Sequence, residues 1–566
     1  MNQLDWIVLI VTLAAIISYG VYKSRTTRNL DGYFLSNRSM PWWLVMLSIM
    51  GTQASAVTFL AAPGQAYTDG MRFVQYYFGL PLAAIVICIT FVPVFRRLKI
   101  YTAYEYLESR FDGKTRSLTS FLFLLQRGLS TGISIYAPSI ILSTILDWNI
   151  YWTNLFMGGL LIVYTVTGGA RAVAYTQKLQ LIVIFTGLFI AGYYMVDNLP
   201  GKMGFTDALE VGGTLGKMNV ITTGFSENGF DWGDRYNIIS GVIGGFFLLL
   251  SYFGTDQSQV GRYLTARTES ESKLGLLMNG IVKVPMQFLI LLLGVLVLAF
   301  YQFHQAPAFF NQKELSRLEN SVYKDSLATH LQKMDAIQLE RAQLLQNYGN
   351  APDAAALNGL ATLQKSADSV RSSIKGLVKL NGGDDNDTNY IFIRFVVDYL
   401  PVGVVGLLIA IIFLASWGSI AAALNSLASS TVIDFHKRLR KGREDAESDY
   451  RISRWYSLGW GLFCIGVAMF ASNIGNSLIE AVNILGSLFY GTILGVFLVA
   501  FYTKKINGNA VFIGALLAEA LVILLFVMTE YEVIRLGFLW LNAVGALAVL
   551  LFSAMIHGLR KTPRRG

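Results

Sequence analysis

The chain has 566 residues, 54% of them hydrophobic and only 14% charged, with a mean hydropathy of +0.49. That balance excludes the soluble classes and describes a polytopic protein whose first partner is a lipid bilayer. The formal net charge of +9 would suggest nucleic acid in a soluble chain, but here the basic residues gather in particular loops. The charge therefore records topology, and no nucleic-acid partner is expected.

An apolar run of about 20 residues crosses a bilayer as a helix. Thirteen such spans are expected, with cores at 5–22, 41–62, 73–95, 119–146, 150–167, 178–196, 236–256, 274–303, 390–430, 453–472, 479–502, 508–529 and 533–557. The 390–430 run is too long for one simple span and is expected to tilt or to continue into the cytoplasm. The first run follows MNQLDWIVLI, which has an acidic residue and no basic stretch, so no cleavable signal peptide is expected.

Lys and Arg in the short loops set the orientation. With the N-terminus outside, Lys23, Arg25, Arg28 and Arg38 fall in the first inner loop. Arg96, Arg97, Lys99, Arg110, Lys114 and Arg116 fall in the next. Arg171, Lys178, Arg262, Arg267, Lys273, the run HKRLRKGRE after Phe435, Lys504, Lys505 and the tail RKTPRR complete that side. The short outer loops offer little beyond Arg72 and Arg535. The expected topology is N-terminus out and C-terminus in, as a multi-pass cell-membrane protein such as one of the bacterial inner membrane.

Two outer segments are long. Residues 197–235 are rich in Gly and acidic residues. Residues 304–389 contain NQKELSRLENSVYKDSLATHLQKMDAIQLERAQLLQ, a turn at YGNAPDA, and a second helical pattern from about Asp353 to Lys379 before NGGDDNDTN. This reads as an exoplasmic helical hairpin, or as an insertion of no function. Asn386-Asp387-Thr388 fits a glycosylation sequon and DDND could attract a cation, both short patterns of low specificity.

Within the stretch PWWLVMLSIMGTQASAVTFLAAP, from Pro41 to Pro63, the middle reads Gly51-Thr52-Gln53-Ala54-Ser55. A helix broken there frees carbonyls for an ion and a side-chain amide for a solute. The alternative is a helix that uses small residues only for packing. Nothing suggests catalysis. Cys88 and Cys464 lie far apart in apolar runs, the four histidines form no ligand-spaced pair, and no nucleophile triad, phosphate loop or ATP motif is present. No enzyme activity and no cofactor is expected.

SAVTFLAAPGQAY, VPVFRRLKIYTAYEYLESRF, IYAPSIIL, VTGGARAVAYTQKLQ, TDQSQVGRYLTART and ALNSLASSTVIDFHKR together resemble the sodium/solute symporter family. The closest flavour is the branch of iodide, multivitamin and monocarboxylate transporters, and the likeness spans about residues 5–500. It implies an all-α integral membrane fold with a LeuT-type core of two inverted five-helix repeats, at 41–196 and 236–502. Residues 1–40 hold an extra helix and loop, 197–235 an exoplasmic loop, and 503–566 two further helices and the basic tail. The 304–389 hairpin interrupts the second repeat and falls outside the resemblance. The first helix of each repeat is expected to break, near Gly51–Ala54 and in the region Leu249–Gly254.

The resemblance also implies sites. A sodium ion, the expected coupling ion, would take carbonyls at Gly51, Ala54 and Ala415 and hydroxyls at positions 418 and 419. Here these are Gly418 and Ser419, so one hydroxyl is missing. A second sodium site of some members has its aspartate position at Gln177 and its hydroxyl positions at Ala421 and Ala422, and looks absent. Solute contacts map to Gln53, Thr58, one or more of Gln75, Tyr76 and Tyr77, then Tyr252, Lys283 and Asn483. Lys283 would face the cavity or snorkel to the basic loop. The implied function is sodium-coupled symport of a sugar, sugar derivative or carboxylate by alternating access. The alternatives are a proton-coupled or uncoupled carrier of the same fold, or a transporter-derived receptor that docks an exoplasmic partner on the hairpin.

Overall fold

A backbone immersed in hydrocarbon must satisfy its own hydrogen bonds, and a helix does so within one segment. The computed structural model describes residues 1–566 except 25–29, 228, 346–353, 440–445, 472–476 and 562–566, and it is helical almost throughout. The sheet it describes is a two-stranded ribbon pairing Phe225–Ser226 with Gly229–Phe230. Arg25, Arg28, most of HKRLRKGRE, most of YGNAPDA and the end of the basic tail lie outside the described residues, as do the side chains of Lys23 and Arg171.

In chain order, α1 is Gln3–Ser24, α2 is Trp42–Gln53 and α3 is Ala56–Asp69. Next come α4, Met71–Leu98, α5, Gly113–Leu146, and α6, Ile150–Asp197. A loop then leads to α7, Ser240–Gly254, α8, Gln257–Tyr263, and α9, Glu269–Phe303. The insertion holds α10, Lys324–Leu345, and α11, Ala354–Leu380. The chain ends with α12, Ile391–Tyr399, α13, Val404–Leu439, α14, Ala446–Phe470, α15, Leu478–Tyr502, α16, Gly508–Glu530, and α17, Phe538–Lys561.

Among the described residues, nine helices are long and apolar enough to cross a membrane, or ten if α2 and α3 form one bent span. Ile150–Val166 and Ser240–Gly254 are shorter apolar helices. The central element is α13, with 89% of its apolar window inside the protein, whereas α1 at 22% and α16 at 33% lie at the periphery. Asp5 ties α1 to the middle. Its Oδ1 accepts the backbone N–H groups of Gly403 at 2.6 Å and Gly406 at 3.3 Å, capping the start of α13.

Three expected boundaries move. The 150–167 and 178–196 runs are joined by helical backbone into one 48-residue element, α6. It is not one straight rod: the Tyr164 hydroxyl meets Thr176 Oγ1 at 2.7 Å, across twelve residues that a straight helix would spread over about 18 Å, so Ile150–Val166 and Val173–Asp197 remain two apolar stretches of one folded-back element. The 390–430 run splits at its start into α12 and α13, and α13 continues past 430 to Leu439. Pro401 forces Leu400 into extended backbone (φ −83°, ψ 150°), and Gly403 turns the chain at φ +92° before α13 begins. The second break falls at Thr255–Asp256, just beyond the expected Leu249–Gly254, because the Asp256 side chain caps α8.

The insertion forms the helical pair α10–α11 with its own apolar cluster, which includes Phe309, Leu327, Met334 and Ile374. It sits on the bundle through α3. Tyr67 packs edge-on against Phe310 at 5.6 Å, and Arg371 lies over the Phe310 ring at 4.8 Å. Asp387 is buried and paired with Arg371 at 2.7 Å and Lys375 at 3.2 Å, so the DDND run is partly committed to internal pairs. In the sequon, Asn386 Oδ1 accepts from the Thr388 N–H at 3.0 Å, and Thr388 is buried.

Candidate functional site

The first helix ends just past Gly51-Thr52-Gln53, where Gly, Thr and Ser are weak helix formers but Gln53 and the Ala54 at the break are not. Ala54 (ψ 80°) and Ser55 (ψ 173°) leave helical geometry, and α2 meets α3 at a 61° bend. The Ser55 N–H turns to the Gln53 carbonyl at 3.0 Å, away from the Gly51 carbonyl that an unbroken helix would use. The alternative of close packing also holds at Gly51, where an added Cβ would lie 2.8 Å from Gln177 Cγ.

The second break supplies a charged partner. Asp256 Oδ1 accepts the Ser258 N–H at 2.8 Å and the Ser258 hydroxyl at 2.6 Å. Its Oδ2 accepts the Tyr490 hydroxyl at 2.6 Å and pairs with the Arg127 guanidinium. Arg127 also reaches Tyr490 at 2.9 Å and lies over the Tyr252 ring at 5.3 Å. Further along the same side of the bundle, Arg116 pairs with Asp434 at 2.6 Å.

Between the two breaks lies a cavity of about 100 Å³. Of the residues expected to contact solute, Gln53, Thr58, Tyr76, Tyr77, Tyr252 and Asn483 line it, together with Ser419 from the expected sodium set. A second cavity of about 940 Å³ adjoins it on the hairpin side, since Ile479 lines the first and Glu480 the second. Its walls carry the ion pairs of Arg72 with Asp69 and Asp234 and of Arg235 with Glu480, all within 2.9 Å.

Two expected solute contacts lie elsewhere. Gln75 is locked into the 197–235 loop, where it donates to Thr222 Oγ1 at 3.0 Å and to the Tyr236 carbonyl at 3.1 Å. The turn of α4 that carries it, Met71–Gly79, is a 3-10 helix. Lys283 is fully buried but does not line the cavity. Its Nζ lies 5.6 Å from the centroid of the Tyr77 ring and has no hydrogen-bond partner among the described residues. It therefore neither snorkels nor reaches the cavity except through Tyr77. The cavity also holds groups that sequence reasoning missed: Arg127, Gln126 and Tyr490. An arginine inside an apolar run is a signal in its own right, and Arg127 in LLQRGLSTG carried it.

The expected sodium ligands are divided between the first break, Gly51 and Ala54, and α13, Ala415 to Ser419. The Ser419 hydroxyl donates to the Ala415 and Ser416 carbonyls, both at 3.1 Å, which leaves its oxygen able to accept a cation. The Gly418 carbonyl is engaged by the Gln177 side chain at 3.2 Å. Oxygen ligands alone suit a hard cation such as sodium. Among the described residues no group of three or more His, Cys, Asp or Glu could hold a metal, and Cys88 and Cys464 are buried and unbridged.

Comparison with known proteins gives a single answer. The sodium/sialic acid symporter NanT of Aliivibrio fischeri is 25% identical over 553 residues, 97% of this chain and 92% of that protein. The sodium-dependent multivitamin transporter of Oryctolagus cuniculus is 26% identical over 91% of this chain and 69% of its own length. The human sodium/iodide cotransporter is 32% identical over 252 residues, 44% of this chain and 38% of its own. A solved structure of a Na+-coupled sialic acid symporter, in a substrate-bound outward-open state, shares the fold at a TM-score of 0.75 with 22% identity, covering 99% of this chain and 98% of that one. The sequence pattern of the sodium:solute symporter family matches residues 33–323 and 371–518, leaving out 324–370, which is α10 and most of α11 up to Val370. A chain matched over that much of its length belongs to the sodium:solute symporter family.

Proposed function

We propose that this protein is a secondary active transporter that couples sodium movement to uptake of a small organic solute bearing both hydroxyl and carboxylate groups. Thirteen spans with the N-terminus out and the C-terminus in place the hairpin outside, the arrangement that the loop charges favour. The two-repeat core sets the solute between the breaks at Ala54–Ser55 and Thr255–Asp256.

One observation carries the solute class. Gln53 Oε1 and Arg127 Nε belong to residues that line the same cavity, and both are buried without a partner among the described residues. A buried polar atom left unpaired is costly, so each calls for a partner from the solute. Gln53 asks for a donor such as a hydroxyl, and Arg127 for an acceptor such as a carboxylate or hydroxyl. A sugar acid offers both. The similarity to sialic acid symporters over nearly the whole chain favours that member of the sugar, sugar-derivative and carboxylate set. The cavity is smaller than the ~300 Å³ of typical solute sites, so a sugar-sized ligand requires Tyr76, Tyr77 or the Ile479–Asn483 turn to move.

Sodium would take the carbonyls of Gly51, Ala54 and Ala415 and the hydroxyl of Ser419. The hairpin braces α3 and the outer cavity, and no observation favours its use as a docking site for an exoplasmic partner. A thermal-shift screen of sugars, sugar acids and monocarboxylates in sodium and in choline chloride identifies the solute, because ligand bound to the native state raises stability. Uptake of that solute into proteoliposomes should rise with an inward sodium gradient. Equal uptake in choline would make this an uncoupled or proton-coupled carrier of the same fold.

A further inference from the structure

Gln177 lies on α6, fully buried, where α2 and α13 come together. Its Nε2 donates to the Gly418 carbonyl at 3.2 Å and to Thr52 Oγ1 at 3.2 Å. Its Oε1 accepts the Ser48 hydroxyl at 2.9 Å. The Thr52 hydroxyl in turn donates to the Ser48 carbonyl at 2.8 Å, which leaves its oxygen to accept from Gln177. The amide orientation is forced, since a carbonyl such as that of Gly418 only accepts and the opposite orientation would set two acceptors face to face. The backbone makes room for this side chain at two glycines. A Cβ at Gly51 would lie 2.8 Å from Gln177 Cγ, and one at Gly418 would lie 3.2 Å from it and 2.5 Å from Gln180 Oε1.

Two oxygens from different elements therefore face one group that presents only positive hydrogens to them. That is the demand a hard cation meets with its charge, here met by a neutral group that cannot leave. We propose that the Gln177 carboxamide is a built-in surrogate for a cation. It holds the broken span against α13 whether or not sodium is present, and it leaves sodium a single place, beside Ser419. Sodium binding would then be one ion per chain, and the junction of α2, α6 and α13 would keep its geometry in sodium-free conditions. This rests on the assignment of sodium to the Ser419 side of the same junction.

The test uses the full chain purified in detergent, with sodium chloride against choline chloride and no solute added. Gln177→Glu keeps the shape, removes both N–H donors and sets a carboxylate against two oxygens. Sodium at 100 mM should lower the unfolding constant of that variant at least about tenfold more than it does for wild type, because the ion now bridges the three oxygens. Gln177→Ala frees the same pair of oxygens without adding charge, and its sodium response should also exceed that of wild type. Responses to sodium equal to wild type in both variants would overturn the proposal, and so would binding of two sodium ions per wild-type chain. Should Gln177→Glu fail to fold in either salt, Gln177→Ala decides alone. Because no solute is used, a sodium-rescued Gln177→Glu in a protein that shows no uptake would sink the transport reading and keep this one.

Discussion

The Lys283 ammonium lies 5.6 Å from the centroid of the Tyr77 ring, and Tyr77, not Lys283, lines the cavity between the two helix breaks. Lys283 is fully buried with no hydrogen-bond partner among the described residues. Its influence on solute therefore passes through the position of the tyrosine ring. Lys283→Met keeps the aliphatic volume and removes the unpaired charge, so the variant should be more stable than wild type by about 1–3 kcal/mol. Losing the cation–π contact, worth about 0.5–2 kcal/mol, should weaken solute binding roughly two- to thirty-fold and not abolish it. Thermal melts and solute titration on the same preparation check both effects, and unchanged affinity would remove Lys283 from the site.

Ser419 is the surviving hydroxyl of the expected sodium pair, and it also lines the proposed solute cavity. Ser419→Ala should lower apparent sodium affinity about tenfold, the cost of one ligand at roughly 1.4 kcal/mol. Sodium-dependent uptake with an unchanged half-saturating concentration would exclude it as a ligand. Gly418→Ser, which restores the family's second hydroxyl, would be expected from sequence to tighten sodium binding. The structure points the other way, because the new Cβ would lie 3.2 Å from Cγ of the hydrogen-bonded Gln177, whereas Gln180 Oε1 at 2.5 Å is the end of a flexible side chain that can swing aside. That variant should bind sodium no tighter than wild type until Gln177 is also shortened.

The first break was legible because it is written in composition: Gly, Thr, Gln and Ser at mid-span have no purpose in lipid. Tyr76, Tyr77, Tyr252 and Asn483 came instead from the family resemblance, position by position. The resemblance could not choose among positions 75 to 77, since Met71–Gly79 winds as a 3-10 helix with 3.0 residues per turn in place of 3.6. Nor could spacing reveal which way Lys283 points. The rotation of α9 is set by its packing, where Gly294 sits so close that a Cβ would lie 2.0 Å from the Pro63 carbonyl. The Arg127–Asp256 pair joins residues 129 positions apart, beyond any local pattern.

That pair closes the cavity on the side away from the hairpin. The Asp256 side chain is fully buried, so removing its partner strands a charge. Arg127→Met should destabilise the protein by about 3–5 kcal/mol. Adding Asp256→Asn should recover most of that loss, because Asn still caps α8. Solute binding should stay impaired in the double variant, since Arg127 Nε is lost from the cavity wall. Recovery of both stability and binding would mean that Arg127 is only structural.

The loop that leads from the hairpin to α12 carries a group that titrates near neutrality. Burial pushes the Asp384 carboxyl up to about 7, and the nearby Asp385, Glu314 and Asp387 add to this against the opposing hydrogen bond from the Asn386 N–H. A carboxyl raised in the folded state stabilises it fully below its ordinary value near 4, and that contribution disappears as pH rises through about 7. Asp387 responds differently: burial pushes it up, but Arg371 and Lys375 prevail and hold it below the usual carboxylate range, so it stays charged across this window. The expected outcome is that amide hydrogen exchange in residues 381–390, corrected for intrinsic rates, is slower at pH 5 than at pH 8. Asp384→Asn should keep the pH 5 protection at pH 8. Equal protection of wild type at the two pH values would show that Asp384 stays ionised in the folded loop.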